Sequence, residues 1–336
     1  MHCAERRDAT AYEWLAICIA GGERRDARRK TLASLANSIS SGWLADGEGA
    51  GESAQTRRIL TMSTESSPLI AREPPVGNYS PEPIGASRSP CPVVNALANH
   101  GYIARSGRNI LMNDLNASMK QIGMSSLLGS VFAKPTYIEF QDPAIVALRK
   151  PPSLWSRIWA LIRNPYSYFS YFGCWMKGQV DERGRKVIDL GNLAIHGAIE
   201  HDISLTRRDV DQPEGNCAGQ KDLIKDLLAS SSDGGKTLTV DDLGAFIKRR
   251  IEQQLIDNPG LTYGPDQHQI NCGQVALMMH CFGNGKTIPC SYVRAIFEEE
   301  RLPWTEGWTR RKWWTMGLFE FFGAVETIKG AVGLTF

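Results

Sequence analysis

The chain holds 336 residues, 42% of them apolar and 22% charged, with a formal net charge of only +2. That balance suits a soluble globular fold with room for one large core, and it offers no electrostatic footing for nucleic acid. The eight cysteines are scattered without a CxxC pair, which argues against a zinc site and against a disulfide-stapled secreted domain.

Residues 1–75 read as a largely disordered N-terminal extension, dominated by Gly, Ser, Ala and mixed charge, as in "DGEGAGESAQ". The apolar "WLAICIA" at 14–20 follows Glu5, Asp8 and Glu13 and precedes "GGERRDARRK". A short helical or disordered piece is therefore preferred to a secretory signal, and an intracellular address is expected. Met62 offers a second start. No run reaches the roughly 18 apolar residues of a spanning helix.

Residues 76–336 read as a single all-α domain. "PVVNALANHG" from Pro92 has proline at the first helical position, apolar residues at 93, 94 and 97, and Gly101 as its stop. Residues 109–133 carry Ile110, Leu111, Leu115, Met119 and Ile122 on one stripe and predict a helix. Further helices are predicted over 220–230, over 239–260 with a Thr cap and an Asn-Pro-Gly stop, over 265–283, and over 290–303. Residues 313–325 have helical apolar spacing that suits packing or a second membrane-facing helix. Between these elements, 151–178 carries Trp155, Trp159, Tyr166, Phe169, Phe172 and Trp175, interrupted at Asn164-Pro165. Aromatics with Arg157, Arg163 and Lys177 fit a hairpin in a membrane interface, a peripheral association. A hydrophobic lid over the domain's own pocket fits as well.

Cys91 stands between Pro90 and Pro92 where a helix begins. First-turn amides and the helix dipole there stabilise negative sulfur. Such a thiolate can be a nucleophile, a redox centre or an axial metal ligand; a buried structural cysteine remains an equal reading. The second constellation, "GNLAIHGAIEHDISLTRRD" at 191–209, packs His196, Glu200, His201, Asp202 and Ser204 into nine positions. A carboxylate, a backbone carbonyl and a hydroxyl in one turn make hard-oxygen ligands for Mg²⁺ or Mn²⁺, and His201 can move protons near neutral pH. A solvated helix end has the same composition.

"PCPVVNALANHGYIARSGR" followed by "IEHDISLTRRD" resembles the fungal haem-thiolate peroxidases, the chloroperoxidase and unspecific peroxygenase family, in its short EHD-type branch. The likeness runs from about residue 88 to 310, through "NPGLTYGPDQHQINCGQVALMMHCFG" and "FEEERLPWTEGW". It implies a helical haem-binding domain in which Cys91 is the axial ligand of haem b iron, its electron donation favouring O–O cleavage of a bound peroxide. It implies that Glu200, the carbonyl of His201 and Ser204 hold Mg²⁺ or Mn²⁺ bridging to a haem propionate. The His201 imidazole would lie on the distal side, hydrogen-bonded to a catalytic glutamate.

At the glutamate's place the chain reads Gly273 and then Gln274. A carboxylate takes a proton from peroxide and returns it; an amide does not. Gly273 still allows close approach to the haem, and His201 is left to move the proton alone. The resemblance implies a peroxidase or peroxygenase acting with hydrogen peroxide on a hydrophobic, aromatic molecule, in a fungal secondary-metabolite setting. The alternatives are a haem protein of the same fold that has lost peroxide chemistry, and a membrane-associated interaction protein. His268 and His280 are expected to be surface or core residues, His100 a hydrogen-bonding helix end, Asp202 a loop-orienting group, and Glu298 to Glu300 a solvated helix face.

Overall fold

The computed structural model describes residues 73–142, 163 and 172–334, all within a unit running from Ile70 to Phe336. The extension read over 1–75 lies outside the described residues but for its last three. So does most of 151–178. Among its described residues, Phe172, Cys174 and Trp175 are buried, while Arg163, Met176 and Lys177 are exposed.

Helix α1, Pro92–Asn99, takes Cys91 as its N-cap and Pro92 at its first position, where a missing N–H costs nothing. Gly101, at φ +72, turns the chain away, and a Cβ there would lie 2.9 Å from the Arg105 guanidinium. His100 locks this end: its Nδ1 donates to the Gly77 carbonyl (2.8 Å), and its Nε2 accepts from the Leu302 N–H (3.1 Å).

The stripe over 109–133 is not one helix. It divides into β1 (Ile110–Leu111), α2 (Met112–Met119), a 3₁₀ turn (Lys120–Ile122) and α3 (Ser126–Thr136). Gly123 ends the turn at φ +87, and the Ser125 hydroxyl accepts from the Leu128 N–H to start α3. Ile110, Leu115, Met119 and Ile122 remain buried. β1 pairs antiparallel with β2 (Val187–Ile188).

Helix α4 (Lys221–Ala229) precedes β3 (Thr237–Thr239), which leads into α5 (Val240–Asp257) through a reciprocal capping box of Thr239 and Asp242. Helix α6 (Pro265–Cys281), β4 (Thr287–Pro289), α7 (Cys290–Phe297) and α8 (Leu318–Val332) follow. β3 and β4 form the second two-stranded ribbon. The all-α expectation therefore holds for a mostly helical unit with two short ribbons among the described residues.

Helix α8 packs across α5 and α6. The α5 crossing is close because Gly244 has no side chain: a Cβ there would sit 2.7 Å from the Ala331 backbone. Two expectations shift. The helix predicted over 290–303 stops at Phe297, and the one predicted over 313–325 begins at Leu318, leaving Trp313 and Trp314 ahead of it and exposed. No helix among the described residues is long and apolar enough to cross a membrane.

Candidate active site

One apolar cavity of about 250 Å³ is lined by Cys91, Glu200, His201, Ser204 and Gln274 together, all five of the residues singled out for chemistry. Its walls come from α1, α2, α3, the 199–207 loop, α6 and the start of α8, with Phe132, Leu277 and Phe321 among the apolar faces. Phe172, from the end of the aromatic segment, also lines it.

Cys91 reaches the cavity because its loop is tied down. The Ser89 N–H and hydroxyl both donate to Asn95 Oδ1 (2.9 and 3.0 Å), and Asn95 Nδ2 donates back to the Ser89 carbonyl (2.9 Å). Burial pushes the Cys91 thiol up, while the Val94 and Val93 N–H groups and the Arg207 charge pull it down. The net direction is upward. Without a cation at the sulfur the residue is a neutral thiol already provided with donors for its anion.

The EHD turn faces the same space. Ile203 stands at φ +64, a strained value for a β-branched residue. Its neighbours hold it there: its N–H donates to Asp209 Oδ1 (2.8 Å), and its carbonyl accepts from Asn271 Nδ2 (2.9 Å). His201 Nδ1 donates to the Asp202 carbonyl (2.7 Å), which leaves Nε2 as an acceptor. That Nε2 is buried and has no hydrogen-bond partner among the described residues. Burial lowers the His201 basicity, so the ring is a neutral imidazole with an open lone pair.

Glu200 is already engaged, one carboxylate oxygen lying 2.7 Å from His196 Nδ1 and holding that imidazole above its ordinary value. Among the described residues no group of three or more His, Cys, Asp or Glu side chains is arranged for a metal ion. The ligand set expected for Mg²⁺ or Mn²⁺ contains one carboxylate, from Glu200, and one hydroxyl, from Ser204. Burial pushes the Asp202 carboxyl up to about 6. Its Oδ2 accepts from the Thr262 N–H (2.9 Å), fixing the turn against the start of α6 as expected for a loop-orienting group.

On α6, Gly273 and Gln274 both line the cavity. The approach that Gly273 allows is that of Phe321, whose ring lies 3.2 Å from where a Cβ would be. Glu200 is the single carboxylate among the described lining residues, so none replaces the glutamate absent at position 274.

Residues 77–313 match the family described as Peroxidase, family 2. The chain belongs to this peroxidase family. It is 30% identical over 241 residues to the aromatic peroxidase fscJ of Fusarium equiseti, covering 67% of this chain and 50% of that one. It is 26% identical over 210 residues to the dothistromin biosynthesis peroxidase dotB of Dothistroma septosporum, covering 62% and 45%. A 41-residue stretch, 12% of this chain and 11% of the other, is 51% identical to the chloroperoxidase of Leptoxyphium fumago. The chain thus spans about half the length of the first two relatives.

Sequence reasoning missed one element of this family 2 site. Arg207 is fully buried, lines the cavity, and pairs through Nη2 with Glu300 Oε1 at 2.7 Å. Asn95 Nδ2 donates to the same Glu300 oxygen (2.9 Å), which joins the pair to the Cys91 loop. Glu300 is therefore not part of a solvated helix face; it follows the end of α7 at φ +47 and points inward to a buried cation. Glu298 and Glu299 are exposed, as expected. His268 is buried against Tyr263, and His280 pairs with Glu320, both as structural residues.

Proposed function

We propose that the chain is a haem-thiolate peroxidase that uses hydrogen peroxide to oxidise an apolar, aromatic organic molecule. The observation that carries this reading is the sharing of one apolar cavity by the Cys91 thiol and the orphaned His201 Nε2. The residues fit haem b. The Cys91 sulfur, a soft donor with the Val93 and Val94 amides aimed at it, suits an iron ligand, and aromatic and aliphatic walls suit a flat apolar ring. When bound, haem would supply an iron whose thiolate ligand favours scission of a peroxide O–O bond.

The remaining chemistry is assigned to the chain's own side chains. Cys91 would hold the iron as a thiolate, its proton passing to solvent, and the Val93 and Val94 amides stabilise that anion. His201 Nε2 accepts the proton of an entering peroxide and returns it, as a base whose ring is fixed by the Nδ1 bond to Asp202. Gln274 orients by hydrogen bonding and carries no proton. Glu200, the His201 carbonyl and Ser204 would hold Mg²⁺ or Mn²⁺ as an anchor for the cofactor, and Glu200 would have to leave His196 to do so. The apolar walls exclude water and select the substrate. One relative is named an aromatic peroxidase and another for dothistromin biosynthesis; carried to this chain, those names support an aromatic substrate in a biosynthetic route.

A second reading follows from Gln274. With an amide in place of a carboxylate at position 274, the site binds haem but turns peroxide over slowly, and the pocket serves a rearrangement or binding. Absorption spectroscopy of haem-loaded protein separates the two. The reduced carbonyl complex is expected to give the red-shifted band of a thiolate-ligated haem, and Cys91→Ala to lose it. Rapid spectral change on adding peroxide supports peroxidase action, while an intact thiolate spectrum that peroxide leaves unchanged supports the second reading. An unchanged carbonyl spectrum in Cys91→Ala would overturn both.

A further inference from the structure

The stretch "TRRKWWTMGLF" (309–319) carries a combination that the peroxidase reading does not use. Trp313 is 92% exposed, Trp314 86% and Phe319 98%. Three bare aromatic side chains within seven positions are costly on a monomeric surface. They are not on a loose strand. The Met316 N–H donates to the Gly123 carbonyl and its carbonyl accepts from the Ser125 N–H, both at 2.9 Å, pinning the segment to the α2–α3 connection.

Beside the aromatics lies a groove of about 330 Å³ between residues 120–126 and 310–315, to which Lys120, Arg310, Arg311 and Lys312 contribute. Arg311 is neutralised by Glu320 at 2.6 Å, and Arg310 donates to the neutral Gln121 amide. Lys120, Arg310 and Lys312 therefore leave a net positive groove with no carboxylate in its lining. Phe322, on the same helix as Phe319, is partly exposed and also lines the apolar cavity.

We propose that this face docks on an anionic phospholipid bilayer. Headgroup phosphates occupy the groove of Lys120, Arg310 and Lys312, and Trp313, Trp314 and Phe319 enter the interfacial region. Tryptophan is the side chain that prefers this boundary, since its ring is apolar and its indole N–H stays wet. Basic residues immediately beside it match the negative surface of such a bilayer. That charge complement selects a membrane over a neutral apolar partner. Docking by this face turns the Phe322 wall of the cavity toward the lipid, where apolar molecules concentrate.

The test is co-sedimentation of the full haem-loaded chain with vesicles of phosphatidylcholine alone and of phosphatidylcholine mixed with phosphatidylserine. The expected result is binding to the mixed vesicles that falls as salt rises from low to high. Trp313→Ser/Trp314→Ser/Phe319→Ser and Lys120→Gln/Arg310→Gln/Lys312→Gln are each expected to lower the partition coefficient by at least about tenfold. Melting temperature and haem content are expected to stay at the wild-type values, since none of the six residues lines the cavity. Equal binding by the aromatic variant would assign any membrane contact to another part of the chain and overturn the proposal. So would failure of wild type to bind, or a wild-type dimer that the aromatic variant converts to monomer, which would make a second copy the occupant. Vesicle binding is read independently of turnover: a chain that sediments with vesicles but consumes no peroxide refutes the peroxidase reading and leaves this one standing.

Discussion

Glu300→Gln removes one charge of the pair behind the Cys91 loop while keeping its size. The Arg207 side chain is 1% exposed and that of Glu300 22%. Burial is the leading influence on both and pushes each toward its neutral form, Glu300 upward and Arg207 downward, against their mutual attraction. Such a pair adds little net stability when intact but leaves an uncompensated charge when halved, at a cost of roughly 3–5 kcal/mol. The partial exposure of Glu300 puts this case near the lower figure. At about 2–4 °C per kcal/mol for a domain of this size, a loss of about 3 kcal/mol lowers the melting temperature by about 6–12 °C. Arg207→Met/Glu300→Gln removes both charges and is expected to melt above either Glu300→Gln or Arg207→Met alone. Thermal unfolding followed by circular dichroism of the four proteins closes the double-mutant cycle. A fall of less than about 2 °C in Glu300→Gln would mean that Arg207 is not a buried, carboxylate-dependent cation, and the reasoning would fail.

Three further outcomes are expected. Gln274→Glu adds a second carboxylate to the cavity that His201 lines and is expected to raise the rate of peroxide consumption by at least about tenfold without changing haem content; His201→Ala is expected to lower it below wild type, and a wild type as fast as the glutamate variant would assign proton transfer elsewhere. Glu200→Ala is expected to weaken haem retention and to remove one equivalent of divalent metal, checked by absorbance and elemental analysis; full retention in metal-free protein would remove the ion from the scheme. Gly244→Ala forces a methyl against the Ala331 backbone and is expected to cost about 1–3 kcal/mol by separating α5 from α8, read as an earlier urea midpoint, with an unchanged midpoint refuting the close crossing.

What was legible in the sequence was local. Proline on either side of Cys91 ahead of an apolar run marks a helix start, because Pro92 fits only the first turn. Thr239 and Asp242 mark another by their spacing. The break at Gly123 and Ser125 carried its own signal, a left-handed stop and a hydroxyl cap, but the continuous apolar stripe from Ile110 to Ile122 concealed it. Glu300 was illegible for a different reason. Three consecutive glutamates have one composition whether all face water or one turns inward, and what turns Glu300 is a partner 93 positions away and another 205 away. The five candidate residues of the cavity could be named from resemblance. Their assembly with Phe172, Arg207 and Phe321 is a matter of packing that no local spacing encodes.

The distances along the chain also bear on when the cavity comes into being. Its walls include residues at positions 90–94 and residues at 321–322, and the loop that carries Cys91 is closed by a hydrogen bond spanning 205 positions. Closing such separations is the slow part of folding, since the entropy of the long intervening loop is lost before any contact repays it. While the ribosome is still adding α8, the cavity lacks the wall that Phe321 and Phe322 supply, and its apolar face is open to water and to other chains. The cavity is therefore complete only once α8 has docked across α5 and α6.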